Sequence, residues 1–444
     1  MTNRVIADLP GAIVPLTGSV RDDDALFEMI AGAPVVLIGE ASHGTHEFYR
    51  TRAGITKRLI AEHGFSTVCV EGDWPDAYRV NRYVRGARDD FEAVESLGGF
   101  TRFPTWMWRN AEVLDFVSWL REHNDRLPSG RPKCGFYGLD LYSMYASMDA
   151  VLNYLEQVDP QAAARARRRY ECLDPFEQHP EEYAAATGFG LHPSCRQEVL
   201  AQLKEIQLQA SRFARLDGQV AEDEYFYAEQ NARIVANAER YYGAMLGDSI
   251  STWNLRDTHM TETLQRLIGH LSRRGGPAKA VVWAHNSHVG DARATSMSLR
   301  NETNIGALVK QRYGNGAFSI GFTTYTGNVT AASDWHAPEE RKNIRPARND
   351  SYEYLFHTIA IPRFWLPLRR SRPELHGLPR QALERAIGVI YRPETELQSH
   401  YFTASLIDQF DALYHFDVTR AVEPLERSAR WLRGEPPESY PSGV

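Results

Sequence analysis

Four short apolar runs punctuate the chain, and each closes on a polar group. Val35 to Ile38 lead into Gly39-Glu40, and Ser66 to Val70 lead into Glu71. KCGFYGLD over residues 133–140 ends on Asp140, and KAVVWAHNSH over 279–288 ends on His285-Asn286-Ser287-His288. Runs this short and this uniformly apolar read as strands buried on both faces. After the first strand, Ala41-Ser42-His43-Gly44 makes a small-residue turn into a helix, with Thr45 as the expected N-cap and Glu47 in the first turn. Trp74-Pro75 opens another helix, with proline at the first helical position. Shorter elements are expected as helices at Asp22 to Ala31 and Asn304 to Tyr313, and as strands at Phe318 to Tyr325, Ala386 to Tyr391 and Leu413 to Phe416. The alternation predicts an α/β fold, a largely parallel sheet flanked by helices, in which residues 35–71 form a right-handed crossover.

Between the third and fourth runs the period changes. Ser143 to Val158, Gln161 to Cys172, Arg196 to Ala214, Glu222 to Leu246 and Leu255 to Arg273 all read as helices. The expected organisation is a discontinuous α/β domain, residues 1–142 and 276–430, interrupted by a helical subdomain at 143–275. Residues 1–20 would cap the sheet or pack loosely, and residues 431–444, rich in Pro, Ser and Gly, would form a flexible tail.

In open α/β sheets ligands bind beyond the carboxyl ends of the strands. Glu40, Glu71, Asp140 and His285 all fall at such ends, and His43 lies three residues past the first. If the strands of Glu40 and Glu71 are neighbours about 4.8 Å apart, the two carboxylates need a cation between them. Arg52 offers one. It falls in the apolar row Phe48, Ile55, Leu59, where an unpaired guanidinium would be costly. Taken singly, a strand-end histidine or an acid is more often structural than catalytic, and it is their convergence that points to a site. Trp106, Trp108, Arg392 and Tyr401 are candidates for the substrate wall, with core packing the simpler account of the two tryptophans.

Composition removes several classes. The formal net charge of -7 gives no electrostatic support for a nucleic-acid or anionic-membrane partner, and no run approaches the ~20 apolar residues of a membrane span. The amino terminus lacks a signal-peptide pattern. The four cysteines, Cys69, Cys134, Cys172 and Cys195, form no CxxC pair, so reduced thiols in a cytoplasmic protein are expected. There is no G-x-S-x-G elbow, phosphate loop or dinucleotide fingerprint. A histidine set among carboxylates suits instead a mechanism in which imidazole takes a proton from water, with Arg52 or the second histidine pair meeting the oxyanion.

Gly39-Glu40-x-x-His43, Arg52 nine residues on, Val70-Glu71-Gly72, Ala284-His285-Asn286-x-His288 and YRPETELQSHYF together resemble the erythromycin esterase family. The resemblance covers most of the chain. It implies an α/β domain with a helical part, no cofactor, and hydrolysis of a macrolide lactone, the chemistry of macrolide resistance. By that resemblance His43 is the general base, and Glu40, Arg52, Glu71, His285 and His288 are the other active-site positions. EASHGTHEFYRTR with FPTWMWRN is more similar to a broad bacterial branch, which includes succinoglycan-biosynthesis members, than to the resistance esterases. Three readings stand at this point. The first is a metal-free hydrolase of a small-molecule ester. The second is a hydrolase holding Zn²⁺ or Mn²⁺ on His43, His285, His288 and Glu71, with Glu40. The third is a non-enzymatic binder of a cationic sugar. The sequence leaves the oligomeric state open.

Overall fold

The computed structural model describes residues 9–87, 90, 92–177, 179–209, 218–246, 251–369, 375 and 377–433. Its strands in chain order are β1 (Val14–Pro15), β2 (Val35–Ile38), β3 (Thr67–Asp73), β4 (Gly135–Asp140), β5 (Ala280–Trp283), β6 (Ala317–Ala331), β7 (Glu340–Ile344), β8 (Arg363–Pro367), β9 (Ala382–Arg385), β10 (Tyr401–Ala404) and β11 (Ala412–Thr419). Among the described residues nine of these form one sheet, in the order β1-β8-β11-β6-β2-β5-β3-β4, with β7 antiparallel on β6. β9 and β10 form a separate antiparallel hairpin. β2 pairs in parallel with β5 on one side and with β6 on the other. Every residue of β2, β3, β4 and β5 is buried, which is why these strands read as continuous apolar runs.

This order corrects one expectation. β5 stands between β2 and β3, so the strands ending near Glu40 and Glu71 are not neighbours. Apolar composition defines a buried strand but not its partner. Two further expectations move. The strand expected at Ala386 to Tyr391 is shifted to Ala382–Arg385, because Ile387 and Ile390 make single bridges to Ser42 and Ala332 instead of a ladder. Cys172 and Cys195 are joined as a disulfide, against the expectation of reduced thiols. The helix turn between them brings their Cα atoms to 6.0 Å, inside bridging range, while Cys69 and Cys134 remain buried thiols.

The chain divides into two compact units. The first comprises residues 1–69, 80–136 and 277–444, and the second residues 70–79 and 137–276. In the first, the segment before β2 reaches the sheet edge, where Val14 pairs with Trp365. The helix after β2 runs His46–His63, with Thr45 at its N-cap, although the threonine side chain makes no cap bond, and Gly64 closes it in the left-handed region. The chain over 429–433 is a short helix whose Trp431 is buried and donates its indole N–H to Thr330 Oγ1 at 2.8 Å, so the first residues of the expected tail are anchored. Residues 434–444 lie outside the described residues. In the second unit the helices are Met144–Val158, Pro160–Tyr170, Pro180–Gly188, Arg196–Leu208, Gly218–Gly243 and Thr252–Gly275. They surround their own apolar core, which includes Val151, Leu155, Tyr170, Leu173, Val199, Ile206 and Val235. Of the helix expected over 196–214, residues 210–214 lie outside the described residues. No helix among the described residues is long and apolar enough to cross a membrane.

Candidate active site

In the first unit the geometry begins at the end of β2. Gly39 is needed because a Cβ there would run into the Asn286 amide oxygen. The turn that follows is pinned from two sides. The His43 N–H donates to the Ile387 carbonyl at 3.0 Å, and the Gly44 carbonyl accepts from Thr330 at 3.1 Å and Val422 at 2.9 Å. Gly44 has φ +73°, and any side chain on it would meet the Thr330 carbonyl.

This turn sets the His43 Nδ1 2.9 Å from Glu40 Oε1. A carboxylate accepts, so Nδ1 carries the proton and Nε2 keeps its lone pair. Burial raises the Glu40 carboxyl, but Arg52, then His43 and His285, outweigh it and hold the group below its usual range. Arg52 Nη1 is 3.1 Å from the same Oε1. Arg52 is fully buried and makes no aligned hydrogen bond among the described residues, so the contact is ionic in kind. Aromatic faces supply the rest of its environment. The guanidinium carbon lies 3.8 Å from the centre of the Tyr49 ring, 4.9 Å from Trp283 and 5.6 Å from Trp108. The expectation of a buried acid partner for Arg52 is met by Glu40.

His285 follows β5, with its ring centre 4.9 Å from that of His43. Its Nδ1 accepts the Ser287 backbone N–H at 3.2 Å and lies 2.8 Å from Ser287 Oγ. An accepting Nδ1 places the proton on Nε2, so His285 presents an N–H donor where His43 presents a base. His288 is buried one turn on, its N–H bonded to the His285 carbonyl at 2.9 Å.

The second unit holds an ion cluster. Arg256 Nη2 lies 2.7 Å from Glu71 Oε1 and 2.6 Å from Asp140 Oδ2, and Nε lies 3.0 Å from Asp140 Oδ1. Burial opposes the guanidinium charge, but Asp140, Tyr142 and Glu71 outweigh it and raise the group well above its ordinary value. Arg256 was not foreseen from the sequence as a cation for Glu71, and it is one of the partners of that carboxylate. Among the described residues no three His, Cys, Asp or Glu side chains gather as a metal-holding group.

The wall candidates separate. Trp106 and Trp108 are buried, the first behind Gly44 and the second over Arg52. Arg392 binds the Ser333 carbonyl at 2.8 Å and Asp334 at 3.2 Å. Tyr401 donates to Glu396 at 3.2 Å.

Three groups were not singled out from the sequence. Arg256 is one, although it repeats the signal of Arg52 by standing in an apolar row with Met260, Leu264 and Leu267. Asn286 is the second and Glu384 the third. Glu384 is fully buried on β9, where burial and the neighbouring Glu353 push its carboxyl up to about 8. A carboxyl raised in the fold from its ordinary 4.5 contributes stability that is complete below about 4.5 and is lost as pH rises through about 8. Wild type should therefore lose stability relative to Glu384→Gln across this window, at up to about 1.4 kcal/mol per pH unit. Denaturant unfolding of both proteins at several pH values measures the difference, and parallel curves would refute it.

Comparison with known proteins adds to this geometry. A family model described as "Erythromycin esterase" matches residues 60–419. The chain is 22% identical over 320 residues to erythromycin esterase type II of Escherichia coli, covering 70% of this chain and 73% of that one. A crystal structure of a succinoglycan biosynthesis protein superposes with TM-score 0.75 at 22% identity, covering 95% of this chain and 98% of its own. An erythromycin esterase carrying a His→Asn mutation, in its open conformation, superposes with TM-score 0.66 at 17% identity, covering 92% and 96%.

Proposed function

The chain belongs to the erythromycin esterase family, a hydrolase at the level of the family, and we propose that it hydrolyses a small-molecule ester by way of a water molecule activated at His43. The observation that carries this reading is the His43–Glu40 bond, which leaves Nε2 as the basic nitrogen. Water gives its proton to Nε2 while its oxygen bonds to the carbonyl carbon. Glu40 stabilises the imidazolium that forms. The His285 Nε2–H is the donor suited to the developing oxyanion. Arg52, shut behind Glu40 and three aromatic rings, orients Glu40 instead. Collapse of the tetrahedral intermediate breaks the acyl C–O bond, and the imidazolium returns its proton to the leaving alkoxide. The products are a carboxylate and an alcohol. No serine is acylated on this route.

Mass spectrometry of a panel of simple and macrocyclic esters, erythromycin among them, tests the reading. Wild type should yield a product one water heavier than a cyclic ester, or the acid and alcohol of a simple one, with the same rate after chelation. Loss of activity on chelation would replace the scheme with a metal-dependent one. No product from any ester would overturn the ester assignment.

A further inference from the structure

Glu384 lies behind the histidines, and the ester chemistry above does not use it. Its surroundings connect it to them. Asn286 follows His285 directly and is fully buried. The Asn286 backbone N–H donates to the Glu40 carbonyl at 2.8 Å. Its amide fills a gap beside β6, where Nδ2 donates to the Phe322 carbonyl at 2.8 Å and Oδ1 accepts the Phe322 N–H at 3.2 Å. The second Nδ2 hydrogen goes to Glu384 Oε1 at 3.2 Å. At the other end of the same turn, Gln409 packs so closely on Gly290 that a Cβ there would lie 2.7 Å from Gln409 Cγ, and the Gln409 carbonyl accepts the Asp291 N–H at 3.1 Å. Glu384 thus holds one end of the segment that carries His285 and His288, through Asn286, while Gln409 packs on the other.

Nothing about this placement is needed for the hairpin itself. Glu384 pairs with Phe402 through backbone alone, and its neighbour Arg385 already ties the strand down, its N–H donating to Glu353 Oε1 at 2.8 Å. A buried carboxyl beside a second buried carboxyl is an unfavourable arrangement, so an apolar residue would serve a purely structural role better.

We propose that Glu384 is a positioning residue for the histidine pair: through Asn286 it holds the start of the His285–Gly290 turn against the end of β2 and so sets the His285 ring against that of His43. The raised pKa of the group fits this role. As a neutral acid it still accepts from Asn286, and it places no charge behind the imidazoles. The consequence for rate rests on the hydrolase reading, whereas the clamp does not.

The test uses the full chain with Glu384→Gln and Glu384→Leu. Glutamine keeps the shape, the neutral state and an acceptor for Asn286. Leucine keeps the approximate volume and removes the bond to Asn286. Histidine ring signals are read by long-range proton–nitrogen NMR, with His43 and His285 assigned from His43→Gln and His285→Gln. In Glu384→Gln both rings should keep their wild-type shifts and titration. In Glu384→Leu both should move, and kcat on any hydrolysed ester should fall about 10²-fold, the usual effect of a misplacement near 1 Å, with KM within about threefold. A folded Glu384→Leu with unmoved rings overturns the clamp, as do moved rings in Glu384→Gln. If Glu384→Leu does not fold, the glutamine variant alone decides, because its rings must stay in place. If wild type turns over no ester, the ring signals still test the clamp, and only the hydrolase reading fails.

Discussion

His43→Ala is expected to lower turnover by about 10²–10⁴-fold on any ester the wild type hydrolyses, the range removed with a general base. The substitution is informative because it is local. His43 is bonded at Nδ1 to Glu40 and by its backbone to Ile387, and alanine keeps the backbone bond. Glu40 also keeps Arg52 as its partner, so no buried charge is stranded. The alternative, Glu40→Gln, would leave the Arg52 guanidinium without its counter-charge and mix a folding defect with a chemical one. Steady-state kinetics with circular dichroism of both proteins make the check. Equal rates in wild type and variant would remove His43 from the mechanism.

Arg52→Met is expected to cost about 3–5 kcal/mol of stability, the usual penalty for breaking a buried ion pair from one side. Coulomb attraction to Arg52 is the largest of the effects that keep the Glu40 carboxyl low against its burial. Without it, Glu40 must either stay charged in a dry site or take up a proton. Loss of the guanidinium from the faces of Tyr49 and Trp283 adds a smaller amount, about 0.5–2 kcal/mol. The double variant Arg52→Met with Glu40→Gln should recover much of the loss, since neither partner is then charged. Denaturant unfolding of the four proteins closes the cycle. A change within about 0.5 kcal/mol for Arg52→Met alone would mean the pair contributes nothing to stability.

The strand ends were legible in the sequence because burial on both faces leaves an unbroken apolar run, and the first polar residue after it marks the edge of the sheet. Glu40 and His285 lie just past their strands and Asp140 is the last residue of its own, whereas Glu71, expected to follow its strand, lies inside β3, which runs on to Asp73. Arg52 was legible for the opposite reason, as a charge in a row where apolar side chains belong. Arg256 carried the same anomaly in the helix Thr252–Gly275 and was passed over among many arginines. Pairing was not legible. Val35 to Ile38 accept β5 and β6 on chemical grounds no different from β3, and nothing in their composition says that β5 stands between β2 and β3. Glu384 was hidden because ALER, the sequence of β9, reads as a polar helical fragment. Its burial is imposed by the fold around it. Cys172 and Cys195 were hidden by their sequence separation of 23, across which nothing signals that the helices return.

The position of β2 also governs how the protein is made. Val35 pairs with Ala280 on one side and with Ala317 on the other, so a ribosome delivers this strand first and both its partners late. At about 5–20 residues per second, the usual pace of synthesis, four apolar residues with two open edges wait many seconds for the segments that cover them. Neither the His43 turn nor the Arg52 pair can acquire its final surroundings before β5 emerges. Long-range pairing of this kind slows folding and exposes edges to other chains, so recovery from denaturant should depend on protein concentration and improve when a chaperone shields the amino-terminal segment.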